Sequence, residues 1–211
     1  MLEKFTGRKI VCPWWLCFTF DNPLRRLLHN PEAILSPYVQ PGNNVIDVGA
    51  GMGYFSIPLA KLVGPSGHVT AVDVQTQMLS VLSKRAKRSG VAARITPYLA
   101  TPESLGNHAA ADFILAFWMV HEVPDQEKLL RQIHALLKPD GLFLFVEPIV
   151  HAPKHYFLQT LETAKSVGFS ITEYPSIHIS HSALLLCNKN SFRQIVQITP
   201  GKELGELGSN L

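Results

Sequence analysis

Residues 45–60 read VIDVGAGMGYFSIPLA. A short apolar run meets Gly49, Gly51 and Gly53 at alternate positions, after which the apolar spacing changes to that of a helix. Such a stretch predicts a strand, a tight turn and a helix. Glycine at the turn allows left-handed backbone and close approach to whatever lies above it. Joined this closely, strand and helix make a βα unit, and repeated units of that kind fold as a parallel sheet covered by helices.

The repetition is present. Strands are expected at NVIDV (44–48), HVTAVDV (68–74), ARITPYL (93–99), ADFILAF (111–117) and LFLFVE (142–147). Helices are expected at 54–63, at 75–90 ended by Gly90, at 126–138, and at 155–168 ended by Gly168. ADFILAF is apolar on both faces, which predicts a central strand. Leu129, Leu130, Ile133, Leu136 and Leu137 form one apolar stripe. Pro139, Asp140 and Gly141 predict a turn. The last two strands, FSITEY (169–174) and ALLLCNK (183–189), leave no room for a crossover helix and are expected to pair antiparallel. The fold class is α/β, a doubly wound sheet.

The segment before the first strand differs in kind. It is rich in aromatic residues and proline, and Asn22-Pro23 and Asn30-Pro31 each read as a cap followed by proline at the first helical position. Residues 1–41 are expected to form a helical, aromatic cap on a core at 42–190, within one domain spanning 1–211, and the polar, glycine-rich stretch 198–211 is expected to be mobile.

A net charge of +3 gives no argument for a nucleic-acid or membrane partner. The longest basic run, KRAKR at 84–88, reads as a solvated helix end that also suits the helix dipole. Cys12, Cys17 and Cys187 do not make a disulfide framework. The start lacks an apolar signal core, and the apolar run at 113–120 is too short to span a membrane. A cytoplasmic protein, monomer or homodimer, is expected.

In an open parallel sheet the ligand sits beyond the carboxyl ends of the strands. The dinucleotide fingerprint there is G-x-G-x-x-G. Here the third glycine comes one residue early, and Tyr54 stands in its place. Asp47, inside the strand before the turn, suits a ligand with an ammonium group better than a pyrophosphate. Asp73 closes the second strand, twenty residues beyond Gly53, where a carboxylate can hold both hydroxyls of a ribose.

These residues, followed by ADFILAFWMVHEVPD and LLKPDGLFLFVEP, resemble the class I S-adenosylmethionine-dependent methyltransferases, strongly so over residues 44–148. The resemblance implies a Rossmann-like, seven-stranded sheet of order 3-2-1-4-5-7-6 with strand 7 antiparallel. It implies S-adenosylmethionine as cofactor and S-adenosylhomocysteine as product. By position, Gly49, Ala50, Gly51 and Gly53 would line the methionine part and Asp47 would orient its ammonium. Asp73 would take the ribose hydroxyls, Val74 and Met78 would flank the adenine, and the Phe117 carbonyl would face the ammonium. Many relatives carry an acidic residue for the adenine amino group where this chain has Thr101.

The stretch after the fourth strand lacks the Asn/Asp-Pro-Pro-aromatic motif of nucleic-acid amino methyltransferases. HEVPD is similar instead to the branch acting on small molecules such as quinones, sterols and arsenite. His121 is the candidate general base, since an imidazole titrates in the right range for proton transfer. Glu122 and Glu147 are the other candidates, with Glu147 expected to point into the same cleft. His151, His155, His178 and His181 have no ligand spacing that defines a metal site. Trp14, Trp15, Phe18 and Phe20 read as an apolar flap with Cys12 and Cys17 as small hydrophobes. The expectation is methyl transfer from S-adenosylmethionine to a small-molecule acceptor. The alternatives are an NAD-linked oxidoreductase and a non-catalytic binder of the same cofactor.

Overall fold

The computed structural model describes residues 26 and 28–189. Strands β1 (Asn44–Val48), β2 (His68–Asp73), β3 (Ile95–Leu99), β4 (Ala111–Phe117), β5 (Leu137–Pro148), β6 (Phe169–Glu173) and β7 (Ser180–Cys187) form a single sheet in the order 3-2-1-4-5-7-6. The first five are parallel, and β7 pairs antiparallel with both β5 and β6. The helices are α1 (Pro31–Leu35), α2 (Ser56–Leu62), α3 (Thr76–Arg88), α4 (Gln126–Leu136) and α5 (Lys154–Val167).

Two apolar layers hold the helices to the sheet. On one face Ile46, Val48, Ile114, Phe143 and Phe145 pack against Leu130 and Ile133 of α4 and Phe157 and Leu161 of α5. On the other, Val45, Val69, Phe113, Leu115 and Leu144 pack against Leu35 of α1, Leu59 of α2 and Leu82 of α3. Each strand therefore sends alternate residues to opposite helical layers. The buried polar residues that break this pattern are informative. Asp47 leaves β1 toward α2, and Glu147 leaves β5 on the same face as Phe143 and Phe145.

Local chemistry explains the element ends. Asn30 caps α1 by accepting from the N–H groups of Glu32 and Ala33, with Pro31 at the first position. Gly168 ends α5 at φ 115°, a left-handed value natural to glycine. Helix α2 starts at Ser56 because residues 51–55 continue the turn. The turn at Pro139, Asp140 and Gly141 is a wide bulge inside β5: the β4 register passes from Leu137 directly to Leu142, and Asp140 takes φ 61°. Strand β5 accordingly starts earlier than the sequence suggests. The Asn22-Pro23 helix, the aromatic flap with Cys12 and Cys17, and the 198–211 tail lie outside the described residues. Among those described, no helix is long and apolar enough to cross a membrane.

Candidate active site

The cleft lies at the carboxyl ends of β1, β2 and β4, where the strand order reverses, the place an open α/β sheet offers to a ligand. It has two lobes, of about 250 and about 400 Å³, which share Gly49, Gly51, Met78, Phe117, Trp118 and Glu122. Their combined size suits a small-molecule ligand.

The first lobe gathers Asp73, Val74, Gln75, Ala100, Thr101, Ser104 and Leu105, with Lys128 and Gln132 of α4. Asp73 is buried, and its two carboxylate oxygens accept from Gly51 N–H and Gln75 N–H, each at 2.8 Å. Burial raises its titration above the ordinary aspartate range, while the N–H groups of Gln75, Gly51 and Val74 pull it back down. A carboxylate has about four acceptor positions, so these N–H groups leave it capacity for ligand hydroxyls. Val74 is exposed at the rim and Met78 is buried beneath it. Thr101 is exposed on a short turn closed by backbone bonds with Ser104. Gln132 secures that turn by accepting from Leu105 N–H at 2.7 Å and donating to the Glu103 carbonyl.

The glycine turn separates the lobes. Gly49, Gly51 and Gly53 all have positive φ, at 74°, 54° and 85°. Their surroundings differ. A Cβ on Gly49 would stand 2.8 Å from Cγ of Met119, one on Gly53 would stand 3.0 Å from Cγ of Leu82, and one on Gly51 would meet nothing within 4 Å. Gly51 thus faces the cleft. Gly53 lines neither lobe, and a Cβ added to it would pack against Leu82 of α3. The turn's amides are already engaged. Gly49 and Ala50 donate to the Val72 carbonyl, Gly51 to Asp73 and Gly53 to Ala50.

Asp47 and Ala50 line the second lobe, together with Tyr54, Phe55, His121, Val150, His151 and Ile179. The Asp47 carboxylate is buried and accepts from Ser56 Oγ at 2.5 Å. The lobe thereby presents a buried carboxyl group and aromatic faces. This donor set fits S-adenosylmethionine: acceptors for an ammonium at Asp47, acceptors for ribose hydroxyls at Asp73, and an open approach over Gly51.

His121 is carried by a short 3-10 turn, Val120–Glu122, directly after β4. Its Nδ1 bonds Oε2 of Glu147, whose Oε1 accepts from Val120 N–H at 2.9 Å. Glu147 is fully buried and does not line the cleft. Its expected position in the cleft is corrected: it stands behind His121. The His121 side chain lines the second lobe with its Nδ1 turned to this carboxylate, which leaves Nε2 as its other ring nitrogen. Glu122 lines both lobes. Among the described residues no group of three or more His, Cys, Asp or Glu is placed to hold a metal ion. His151 stands 5.8 Å from His121 ring to ring, and His181 packs on Phe157.

Trp118 was not singled out by its sequence context, yet it lines both lobes and takes φ 60°, a conformation strained for a bulky residue. Three contacts hold it there. Its N–H donates to Val146 at 2.8 Å, its Nε1–H donates to Ser180 Oγ at 3.0 Å, and the buried His29 ring meets it edge-on at 4.8 Å.

Comparison with known proteins agrees with this geometry. The family described as "Methyltransferase domain" matches residues 40–197. The chain is 32% identical over 110 residues to the ubiquinone/menaquinone biosynthesis C-methyltransferase UbiE of Pasteurella multocida, covering 52% of this chain and 41% of that one. It is 31% identical over 169 residues to the ubiquinone biosynthesis O-methyltransferase of Actinobacillus pleuropneumoniae, covering 74% and 67%. The chain spans about two fifths of the length of the UbiE relatives it matches. A SAM-dependent methyltransferase from Aquifex aeolicus superposes with TM-score 0.75 at 19% identity over 84% of this chain and 100% of that one. The [4+2]-cyclase SpnF also superposes, with TM-score 0.60 at 20% identity, over 70% and 60%, so this fold alone does not fix a reaction. Taken with the family match across most of the sheet and the donor set of the cleft, the chain belongs to the class I S-adenosylmethionine-dependent methyltransferases.

Proposed function

We propose that this chain transfers the methyl group of S-adenosylmethionine to a small, ring-bearing acceptor, with His121 as general base. The observation that carries this reading is the His121–Glu147 pair at the second lobe. The cofactor supplies a methyl group on a sulfonium, a strong electrophile. Asp73 accepts the ribose hydroxyls, Val74, Met78 and Thr101 border the base, and Asp47, Gly49, Ala50, Gly51 and the Phe117 carbonyl surround the amino-acid end. Tyr54, Phe55 and Trp118 offer flat apolar faces to the acceptor and narrow the space left to water. His121 Nε2 takes the proton from the acceptor's acidic O–H or C–H. Glu147 holds the Nδ1–H and stabilises the imidazolium that forms. Relatives named for ubiquinone and menaquinone biosynthesis support a quinol-type ring as the acceptor. The mild charge supports an acceptor other than nucleic acid.

The test is transfer of radiolabelled methyl from S-adenosylmethionine to a panel of hydroquinones and catechols, with His121→Asn alongside. Labelled product is expected, with turnover reduced about 10²-fold or more in the variant and S-adenosylhomocysteine affinity kept. Tight binding without transfer across the panel would leave the chain a binder. Equal turnover in His121→Asn would remove the base.

A further inference from the structure

Glu147 and Thr160 are both buried polar residues, and Thr160, on α5, lies outside the cleft lining. A continuous series of hydrogen bonds joins them. Thr160 Oγ1 shares its one proton between Gln126 Oε1 at 3.0 Å and the Tyr156 carbonyl at 3.1 Å. Gln126, the first residue of α4, donates through Nε2 to the Val120 carbonyl at 3.0 Å and also to the Tyr156 hydroxyl. The same Val120 residue donates its N–H to Glu147 Oε1, and Glu147 Oε2 holds Nδ1 of His121.

The chemistry of each end fixes the middle. A backbone carbonyl can only accept, so it sets the NH₂ side of the Gln126 amide toward Val120 and leaves the amide oxygen for Thr160. Val120 is thereby bonded at both its N–H and its C=O, which lie in the two successive peptide units on either side of its Cα. Its N–H orients the carboxylate, and its C=O is anchored to α4 and α5. It belongs to the 3-10 turn that carries His121, and that turn has just three residues of its own to define it. The Val120 carbonyl also accepts from Val123 N–H at 3.0 Å and the Met119 carbonyl from Glu122 N–H at 3.1 Å, so the Gln126 bond ties a turn that already closes on itself to α4.

We infer that Gln126, held by Thr160 and contacting Tyr156, is the positioning residue for His121: it fixes the Val120 peptide, through it the Glu147 carboxylate, and so the Nδ1–H tautomer that leaves Nε2 basic. This rests on the assignment of His121 as base. Gln126 touches neither lobe of the cleft, so its action is indirect. The inference also accounts for Thr160 facing the interior of a helix pair with its hydroxyl engaged instead of the apolar side chain that such a place usually holds.

The tautomer can be read without any acceptor, by long-range nitrogen–proton NMR of histidine-labelled protein, with S-adenosylhomocysteine binding measured by calorimetry on the same samples. In the parent protein His121 is expected as the Nδ1–H form with Nε2 unprotonated. Gln126→Met, which keeps length and bulk but has no donor, is expected to shift His121 toward the Nε2–H form. Thr160→Val is expected to do so in part, and Thr160→Ser, which keeps the hydroxyl, to restore the parent pattern. Affinity for S-adenosylhomocysteine is expected to stay close to the parent's throughout, since neither Gln126 nor Thr160 lines either lobe. If Gln126→Met and Thr160→Val both fold, bind as the parent does, and leave the His121 tautomer unchanged, the positioning role is overturned. If instead the tautomer moves as described but His121→Asn retains full methyl transfer, the positioning stands and the base assignment fails.

Discussion

Alanine at Gly51 and at Gly49 should separate folding from ligand binding within one turn. Both glycines have left-handed φ, so alanine at either costs about 1–2 kcal/mol of backbone strain. At Gly51 nothing else is added, because no atom lies within 4 Å of the new Cβ. At Gly49 the Cβ would come within 2.8 Å of Met119 Cγ and 3.0 Å of its Cβ, which forces overpacking of about 1–3 kcal/mol more. In a domain of this size each kcal/mol lowers Tm by roughly 2–4 °C. Gly51→Ala is therefore expected to melt within a few degrees of the parent, and Gly49→Ala about twice as far below it. Binding should rank differently: both glycines border both lobes, but a Gly49 Cβ is directed at Met119 whereas a Gly51 Cβ enters open space that the ligand needs. Calorimetric titration with S-adenosylhomocysteine is expected to show a loss of at least about tenfold for Gly51→Ala, equal to ~1.4 kcal/mol. Parent-like affinity in a well-folded Gly51→Ala protein would refute the reasoning, since the ligand would then not pass over this turn.

Three further outcomes are expected. Ligand affinity should weaken on acidification from a pH above the ordinary aspartate range: burial raises the Asp73 titration, the acceptor for ribose hydroxyls is its ionised form, and protonation removes that form. Asp73→Ala should abolish this pH dependence in the same titration. Glu147→Gln should reduce turnover by about 10²-fold or more while leaving cofactor affinity nearly unchanged, because the amide can present its NH₂ to Nδ1 and favour the wrong tautomer. Burial tends to raise the Asp112 titration, but the bonds from Lys138 and Asn44 N–H and the Lys138 charge together lower it. Its contribution is therefore present above the unfolded-state titration and lost as pH falls through the folded one. Asp112→Asn should lower the unfolding free energy measured in urea modestly at pH 7, by less than about 1 kcal/mol for this half-exposed pair, and the difference should narrow as the pH is lowered through the carboxylate range.

The parts of this fold that were legible in the sequence are those governed by local spacing. Strand β4 came out residue for residue because an apolar run on both faces has one place to go, the centre of a covered sheet. The antiparallel β6–β7 ending followed from the lack of a crossover. The order of the strands came from the resemblance to a family, not from periodicity. Spacing does not distinguish Gly51, whose added Cβ would meet open space, from Gly53, whose added Cβ would meet Leu82. Glu147 was found as a candidate, but its place behind His121 depends on β4 and β5 lying side by side, a relation between residues 26 apart that no local pattern carries. Trp118 and Gln126 escaped for the same reason. One is distinguished by a backbone angle and the other by three partners drawn from two other elements.

The central claim is that the cleft is built for an adenosyl sulfonium cofactor. Its most direct test is a calorimetric titration of the full chain with S-adenosylmethionine, S-adenosylhomocysteine and NAD, with Asp73→Ala as the comparison. Saturable one-to-one binding of both adenosyl ligands, weakened in Asp73→Ala, and no heat from NAD is the expected result. Binding of NAD with no binding of either adenosyl ligand would contradict the account.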